Sequence, residues 1–93
     1  MQHADMLEVF RALANENRQE ILFLVFSDKN YHTVGETAER IGLAQSTTSE
    51  HLSILRKAGL LDAEKVDREV RYRVNKKTVT QVLSQMQNWL TCC

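Results

Sequence analysis

Residues 34–61 read VGETAERIGLAQSTTSEHLSILRKAGLL, and this stretch decides the fold. Thr33-Val34-Gly35-Glu36 has the capping-box pattern, in which a Thr hydroxyl reaches one way and a Glu carboxylate three residues later reaches back. It predicts a short helix through Ala38 and Ile41, ended by Gly42. The polar segment 45–50 then opens a longer helix that closes at Gly59. At about 100° per residue, Thr48, Leu52 and Leu55 fall on one side of that helix and can anchor it to a core. Ser46, Glu50, Ser53 and Lys57 fall on the other side, with Thr47 and Ser49 on the flanks.

Working outward, Met6, Leu7, Phe10 and Leu13 recur at helical spacing and stop at residues 14–17, where Asn15 can cap a second helix. That helix runs through Ile21, Leu22, Leu24 and Val25, and its wide apolar face predicts packing on several sides. After Gly59 the period changes to two. Val70, Tyr72 and Val74 alternate with Glu69, Arg71 and Arg73, and residues 61–66 supply an antiparallel partner. Residues 66–69 must then turn without glycine or proline. Thr78 with Gln81 offers another capping box, ahead of a last helix with Val79, Val82, Leu83, Met86 and Leu90 on one stripe and Trp89 beside it. The expected fold is mainly α with a small β-hairpin: four helices, the hairpin and a fifth helix.

The chain has 93 residues, 43% hydrophobic and 26% charged, which predicts one globular domain over residues 1–93. A fold this size buries only about 60–65% of its unfolded surface, so a second copy contributing apolar area is expected. The stripe on the last helix exceeds what so small a core needs, and it is predicted to meet the first helix of a second subunit. No apolar run approaches the ~20 residues of a membrane span, and no secretory signal is read at the start. Two cysteines, Cys92 and Cys93, cannot form a disulfide framework, and a reducing cytoplasm fits that usage. Twelve basic and twelve acidic side chains cancel, but the sum hides a gradient. Residues 1–44 hold four basic against seven acidic groups, while residues 45–93 hold eight against five, a shift from −3 to +3. That polarity suits a positive surface that orients an anion, and equally two solvated faces.

A short helix, a glycine-containing turn and a second helix with a polar outer face is the helix-turn-helix plan, whose second helix lies in the DNA major groove. Small hydroxyls at its start allow close approach to base edges. Gln45 can pair with adenine through two hydrogen bonds, and the helix N-terminus suits phosphate. Glu50 can accept from a cytosine amino group or repel phosphate. A Ser/Thr/Gln-rich helix start is also what a merely solvated end looks like. The hairpin that follows argues for DNA, because Arg68, Arg71 and Arg73 would make a wing touching the backbone or minor groove.

ALANENRQEIL (residues 12–22), followed by the quoted stretch and by REVRYRV, resembles the ArsR/SmtB family of dimeric winged-helix repressors over roughly residues 6–75. The resemblance implies a homodimer joined through the first and last helices, a recognition helix over residues 45–57 and a wing over residues 61–74, bound to an inverted repeat in double-stranded DNA. It places DNA contacts at Gln45, Ser46, Thr47, Ser49 and Glu50, with His51 at the edge as a packed or phosphate-facing residue, and at Arg68 and Arg71 of the wing. Ala44 stands where the family often has a capping serine, and Asp67 where the wing often has glycine.

Members of the family often release DNA when an inducer binds. The cysteines expected around residues 34–36 for one metal site are absent, as are imidazoles between residues 78 and 91 for another. His3, His32 and His51 are widely separated. Adjacent thiols at Cys92 and Cys93 suit a thiophilic species such as arsenite, or a redox signal, and equally an idle tail. No cofactor and no catalysis are expected, since no phosphate loop, metal cluster or activated nucleophile is present. The alternatives to a DNA-binding repressor are a winged-helix module that binds protein, and a thiol-based sensor.

Overall fold

Asp5 opens helix α1 (Met6–Leu13) by accepting from the Glu8 amide, and Asn15 opens α2 (Glu16–Leu24) by accepting from the Arg18 amide. These begin a computed structural model that describes residues 5–92. Strand β1 (His32–Thr33), α3 (Val34–Ile41), α4 (Gln45–Lys57), β2 (Leu61–Val66), β3 (Glu69–Val74) and α5 (Lys76–Thr91) follow. His3 and Cys93 lie outside the described residues.

The core gathers Val9, Ile21, Val25, Phe26, Leu52, Leu55 and Leu61, all fully buried, so α1, α2, α4 and β2 share one apolar centre. The second helix departs from expectation. It ends at Leu24, and residues Val25–Asp28 tighten into a 3-10 turn that sends Val25 and Phe26 inward. Phe23 and Leu24 are left 65% and 54% exposed, so this segment is not packed on every side. Likewise α1 enters the core through Val9 and Ala12, while Leu7 and Phe10 of the expected stripe face out.

His32 ties the 3-10 turn to the start of α3. Its ring is buried, edge-on to Phe26 with centroids 5.3 Å apart. Nε2 lies 2.9 Å from Asp28 Oδ2, and Nδ1 lies 3.3 Å from Glu36 Oε2. The capping box forms as read: the Glu36 amide donates to Thr33 Oγ1 and the Thr33 amide to Glu36 Oε1, both at 3.1 Å. The Thr33 amide, then His32, holds the Glu36 carboxyl below its ordinary range.

The sheet has three strands in the order β1-β3-β2, all antiparallel neighbours. The hairpin has the expected extent, with Leu61 opposite Val74 and Val66 opposite Glu69. Only β1 is additional, and its two residues are too few to show a period in the sequence. The two-residue turn places Asp67 at φ 55, a left-handed conformation that aspartate tolerates better than most side chains.

The start of the last helix needs correction. Thr78 does not cap it; Asn75 does, accepting from the Thr78 amide at 3.0 Å, which puts Thr78 and Gln81 inside the helix. Thr78 instead packs on Gly59. A Cβ there would sit 3.2 Å from Thr78 Oγ1, and Gly59 has φ 87, so both space and backbone favour glycine. Along α5, Val82 is buried and Val79 half-buried, whereas Leu83, Met86, Trp89 and Leu90 are exposed. No helix among the described residues is long and apolar enough to cross a membrane.

Candidate nucleic-acid interface

Two buried threonines and a glycine turn fix the second helix of the pair. Thr37 and Thr48 are fully buried, and each hydroxyl donates to the carbonyl four residues back, Thr33 and Ala44, at 2.9 Å. Their polar groups are thereby satisfied inside the α3–α4 contact. Gly42 ends α3 at φ 79, with its amide donating to the Ala38 carbonyl at 2.8 Å. Leu52 and Leu55 complete the inward face of α4.

That anchoring turns the remaining residues outward. Gln45, Ser46, Thr47, Ser49 and Glu50 are all exposed, and they share the first turns of α4. Ala44, the N-cap residue, makes no side-chain cap, and no acidic residue lies in the first turn. The leading amides of α4 therefore point out without a side-chain acceptor from the cap, at the positive end of the helix dipole. Such an end accepts a phosphate oxygen, while the side chains around it can reach base edges. Gln45 Nε2 lies over Gly35, 3.6 Å from where a Cβ would stand, so α3 leaves room for this side chain.

His51 sits one turn further along, half-buried, with Nδ1 3.2 Å from Arg18 Nη1. Arg18 also donates from Nε to the Ala12 carbonyl at 2.6 Å and from Nη2 to the Arg11 carbonyl at 3.4 Å. It thereby joins the carbonyl end of α1 to α4. Burial, and then the charge of Arg18, lowers the His51 pKa, against an opposing pull from Glu50. Nothing local in the sequence assigns Arg18 this role, since its partner lies 33 residues away.

The wing separates its arginines. Arg68 is exposed in the turn, whereas Arg71 is half-buried, with Nη2 3.2 Å from Glu64 Oε1 and its guanidinium 4.8 Å from the Tyr31 ring centre. Arg73 lies over the same ring at 4.4 Å. Tyr31 also hydrogen-bonds Glu64, which together with Arg71 keeps that carboxyl below its ordinary range. Nothing local in the sequence points to Tyr31, because its position depends on the short strand β1. At the far end of the fold, Cys92 is the exposed C-cap residue of α5. Among the described residues, no group of three His, Cys, Asp or Glu side chains has the geometry of a metal site.

A helix pair joined by a tight turn, followed at once by an antiparallel hairpin, is a winged helix-turn-helix, the architecture of a DNA-binding regulator. The profile of the bacterial regulatory protein, arsR family, matches residues 15–63, and the chain belongs to that family. It is a DNA-binding transcriptional regulator rather than an enzyme. It is 34% identical over 89 residues to the transcriptional activator HlyU of Vibrio cholerae, spanning 96% of this chain and 80% of that protein. An ArsR-like transcriptional regulator from Rhodococcus sp. RHA1 superposes with a TM-score of 0.80 at 28% identity, covering 91% of this chain and 78% of that one. The homodimeric winged helix-turn-helix DNA-binding domain of a possible ArsR-family regulator from Mycobacterium bovis superposes with a TM-score of 0.72 at 26% identity, covering 95% and 82%.

Proposed function

We propose that the chain acts in the cytoplasm as a homodimeric repressor, placing two α4 helices in successive major grooves of an inverted-repeat operator. The carrying observation is the exposed start of α4, where Gln45, Ser46, Thr47, Ser49 and Glu50 surround amides that no cap residue covers. Glutamine and the small hydroxyls read base edges, Glu50 accepts from a cytosine amino group, and the amides hold a phosphate. Arg68 at the wing tip meets the backbone or minor groove. Arg71, committed to Glu64 and Tyr31, steadies the wing and adds a weaker phosphate contact. His51 faces the backbone with its second ring nitrogen.

The dimer forms through α1 and α5. Phe10, Leu13, Phe23, Leu83 and Met86 line an apolar cleft of about 210 Å³ between α1, α2 and α5, which Trp89 extends in a second hollow. Its exposed apolar side chains are what a second copy would cover. That the similar Mycobacterium bovis domain is homodimeric supports a dimer here. A protein-binding use of α4 finds little apolar surface, since only Ile54 is an exposed large apolar residue on that helix. The alternative is a thiol-based sensor, in which Cys92 and Cys93 are the thiols a thiophilic inducer would meet.

Selection of bound fragments from genomic DNA, followed by footprinting, tests this. The expected product is an imperfect inverted repeat with half-sites about one helical turn, or a multiple of it, apart. Transcription from that promoter should fall when the protein is added. Sedimentation showing a monomer on one half-site, or transcription that rises, would overturn the dimer or the repressor respectively.

A further inference from the structure

At the open end of the hairpin, where β3 passes into α5, a cleft of about 250 Å³ is lined by Lys29, Asp62, Arg73, Val74 and Lys76. Its three cations come from three elements: the loop before β1, the last part of β3 and the first residue of α5. The ion pairs among the described residues join His32 to Asp28 and Glu36, and Arg71 to Glu64, so none of these three cations is in one. The one carboxylate in the cleft, Asp62, is turned to Asn75, whose Nδ2 donates to its Oδ1 at 3.0 Å. Lys29 Nζ donates to the Ser27 carbonyl at 2.8 Å, which leaves two of its hydrogens for another acceptor. Arg73 lies over the Tyr31 ring, its guanidinium carbon 4.4 Å from the ring centre, which holds the side chain beside the cleft.

We propose that this cleft binds a small free anion bearing two adjacent phosphates, held by Lys29, Arg73 and Lys76. Three cations against one carboxylate, with Glu64 near enough to Arg73 to offset part of its charge, leave a net positive cleft that a monocarboxylate does not neutralise, and two phosphates give the three donors on its separate sides their own anionic oxygens. Arg73 presents a planar fork to one phosphate, and the two lysines supply point charges to the other. The cleft lies at Asp62 and Arg73, about 17 Å along β2 from the wing turn at the usual strand rise. It is therefore set back from the arginine expected to meet DNA. A ligand there would bridge the loop that leads into α3, the wing and α5, so its occupancy would be linked to the placement of all three.

Calorimetric titration with pyrophosphate, against sodium chloride of equal ionic strength, tests the site in the absence of DNA. One pyrophosphate per chain is expected, weakened roughly tenfold by Lys29→Gln or by Lys76→Gln, each of which removes one charge-assisted contact from an exposed side chain. Lys65→Gln, on β2 outside the cleft, should leave binding unchanged. No saturable heat, or equal weakening by Lys65→Gln, overturns the site in favour of diffuse attraction. The same variants on a mixed-sequence duplex separate the other source of phosphate. If Lys76→Gln lowers the salt slope of DNA binding by about one and pyrophosphate competes with the duplex, the cleft belongs to the DNA backbone and the free-anion assignment fails. An unchanged slope upholds it.

Discussion

Arg18 Nη1 donates to His51 Nδ1 at 3.2 Å, and this bond links the first turn of α2 to the middle of α4. A guanidinium has only hydrogens to offer, so Nδ1 must carry a lone pair and the ring proton sits on Nε2. The folded chain thus favours neutral His51, with burial and then the Arg18 charge lowering its pKa against the pull of Glu50. The unfolded chain binds that proton more readily. Stability contributed by neutral His51 is therefore complete above the ordinary imidazole value, about 6.5, and declines as pH falls through it. Urea unfolding at pH 7.5 and 5.5 should show wild type losing more stability on acidification than His51→Gln, whose amide keeps a neutral acceptor. Equal losses would mean that His51 is not held neutral. Asp28 and Glu36, both lowered, titrate below this window in both proteins and cancel in the comparison.

The division of labour between α4 and the wing has a direct signature. Gln45→Ala removes a side chain able to make two hydrogen bonds to one base, so discrimination at that base pair should fall by about 1–3 kcal/mol while other positions keep their preference. Ser46→Ala should act similarly and more weakly. Arg68→Ala should weaken all sequences alike and flatten the log-affinity against log-salt slope by about one. Arg71→Ala should flatten it less, because Glu64 already opposes that charge. Four variants with uniform loss across sequences would dissolve the distinction between reader and clamp.

How much of this was legible depends on how local the signal is. The Thr33–Glu36 box, the Gly42 stop and the extent of the hairpin all rest on residues within a few positions of one another, and each appears as read. The start of α5 does not. Both Asn75 and Thr78 have a cap's chemistry, and the choice is made by distant groups: the Asn75 amide donates to the Leu60 carbonyl at 2.9 Å and its side chain donates to Asp62. Those bonds hold Asn75 at the end of the sheet, with its side-chain oxygen facing the new helix. The outward turn of Leu24 has a similar origin, since the apolar run 21–26 fits either a buried helix or one that tightens at its end. In the candidate interface, the exposed face of α4 was readable from its period. The His51–Arg18 and Arg71–Glu64 contacts were not, because they join separate elements.

The apolar surface of α5 gives the third prediction. Leu83 and Met86 are 62% and 46% exposed on the single chain, so Leu83→Glu or Met86→Glu should leave its far-ultraviolet spectrum intact. Either substitution would place a carboxylate in the proposed interface without a partner, and dimer dissociation should rise by about two orders of magnitude. Operator affinity should fall with it, since each protomer would then grip one half-site alone. Sedimentation velocity across a concentration series measures the first effect. A variant that remains dimeric would move the interface elsewhere.

Ala44 offers the last test, because its backbone already has the geometry a cap requires. At φ −63 and ψ 151 it lies in the extended region, yet it makes no side-chain bond to α4. Ala44→Ser would supply an oxygen to an amide in the first turn without moving the chain, and caps of this kind contribute about 1 kcal/mol. For a domain of this size that is a rise in Tm of roughly 4–8 °C. The same oxygen would compete with phosphate for the amides at the start of α4. Thermal unfolding and operator binding should therefore move apart, with a more stable protein showing equal or slightly weaker affinity. A gain in affinity instead would show that phosphate is held elsewhere and that the uncapped end of α4 is not its seat.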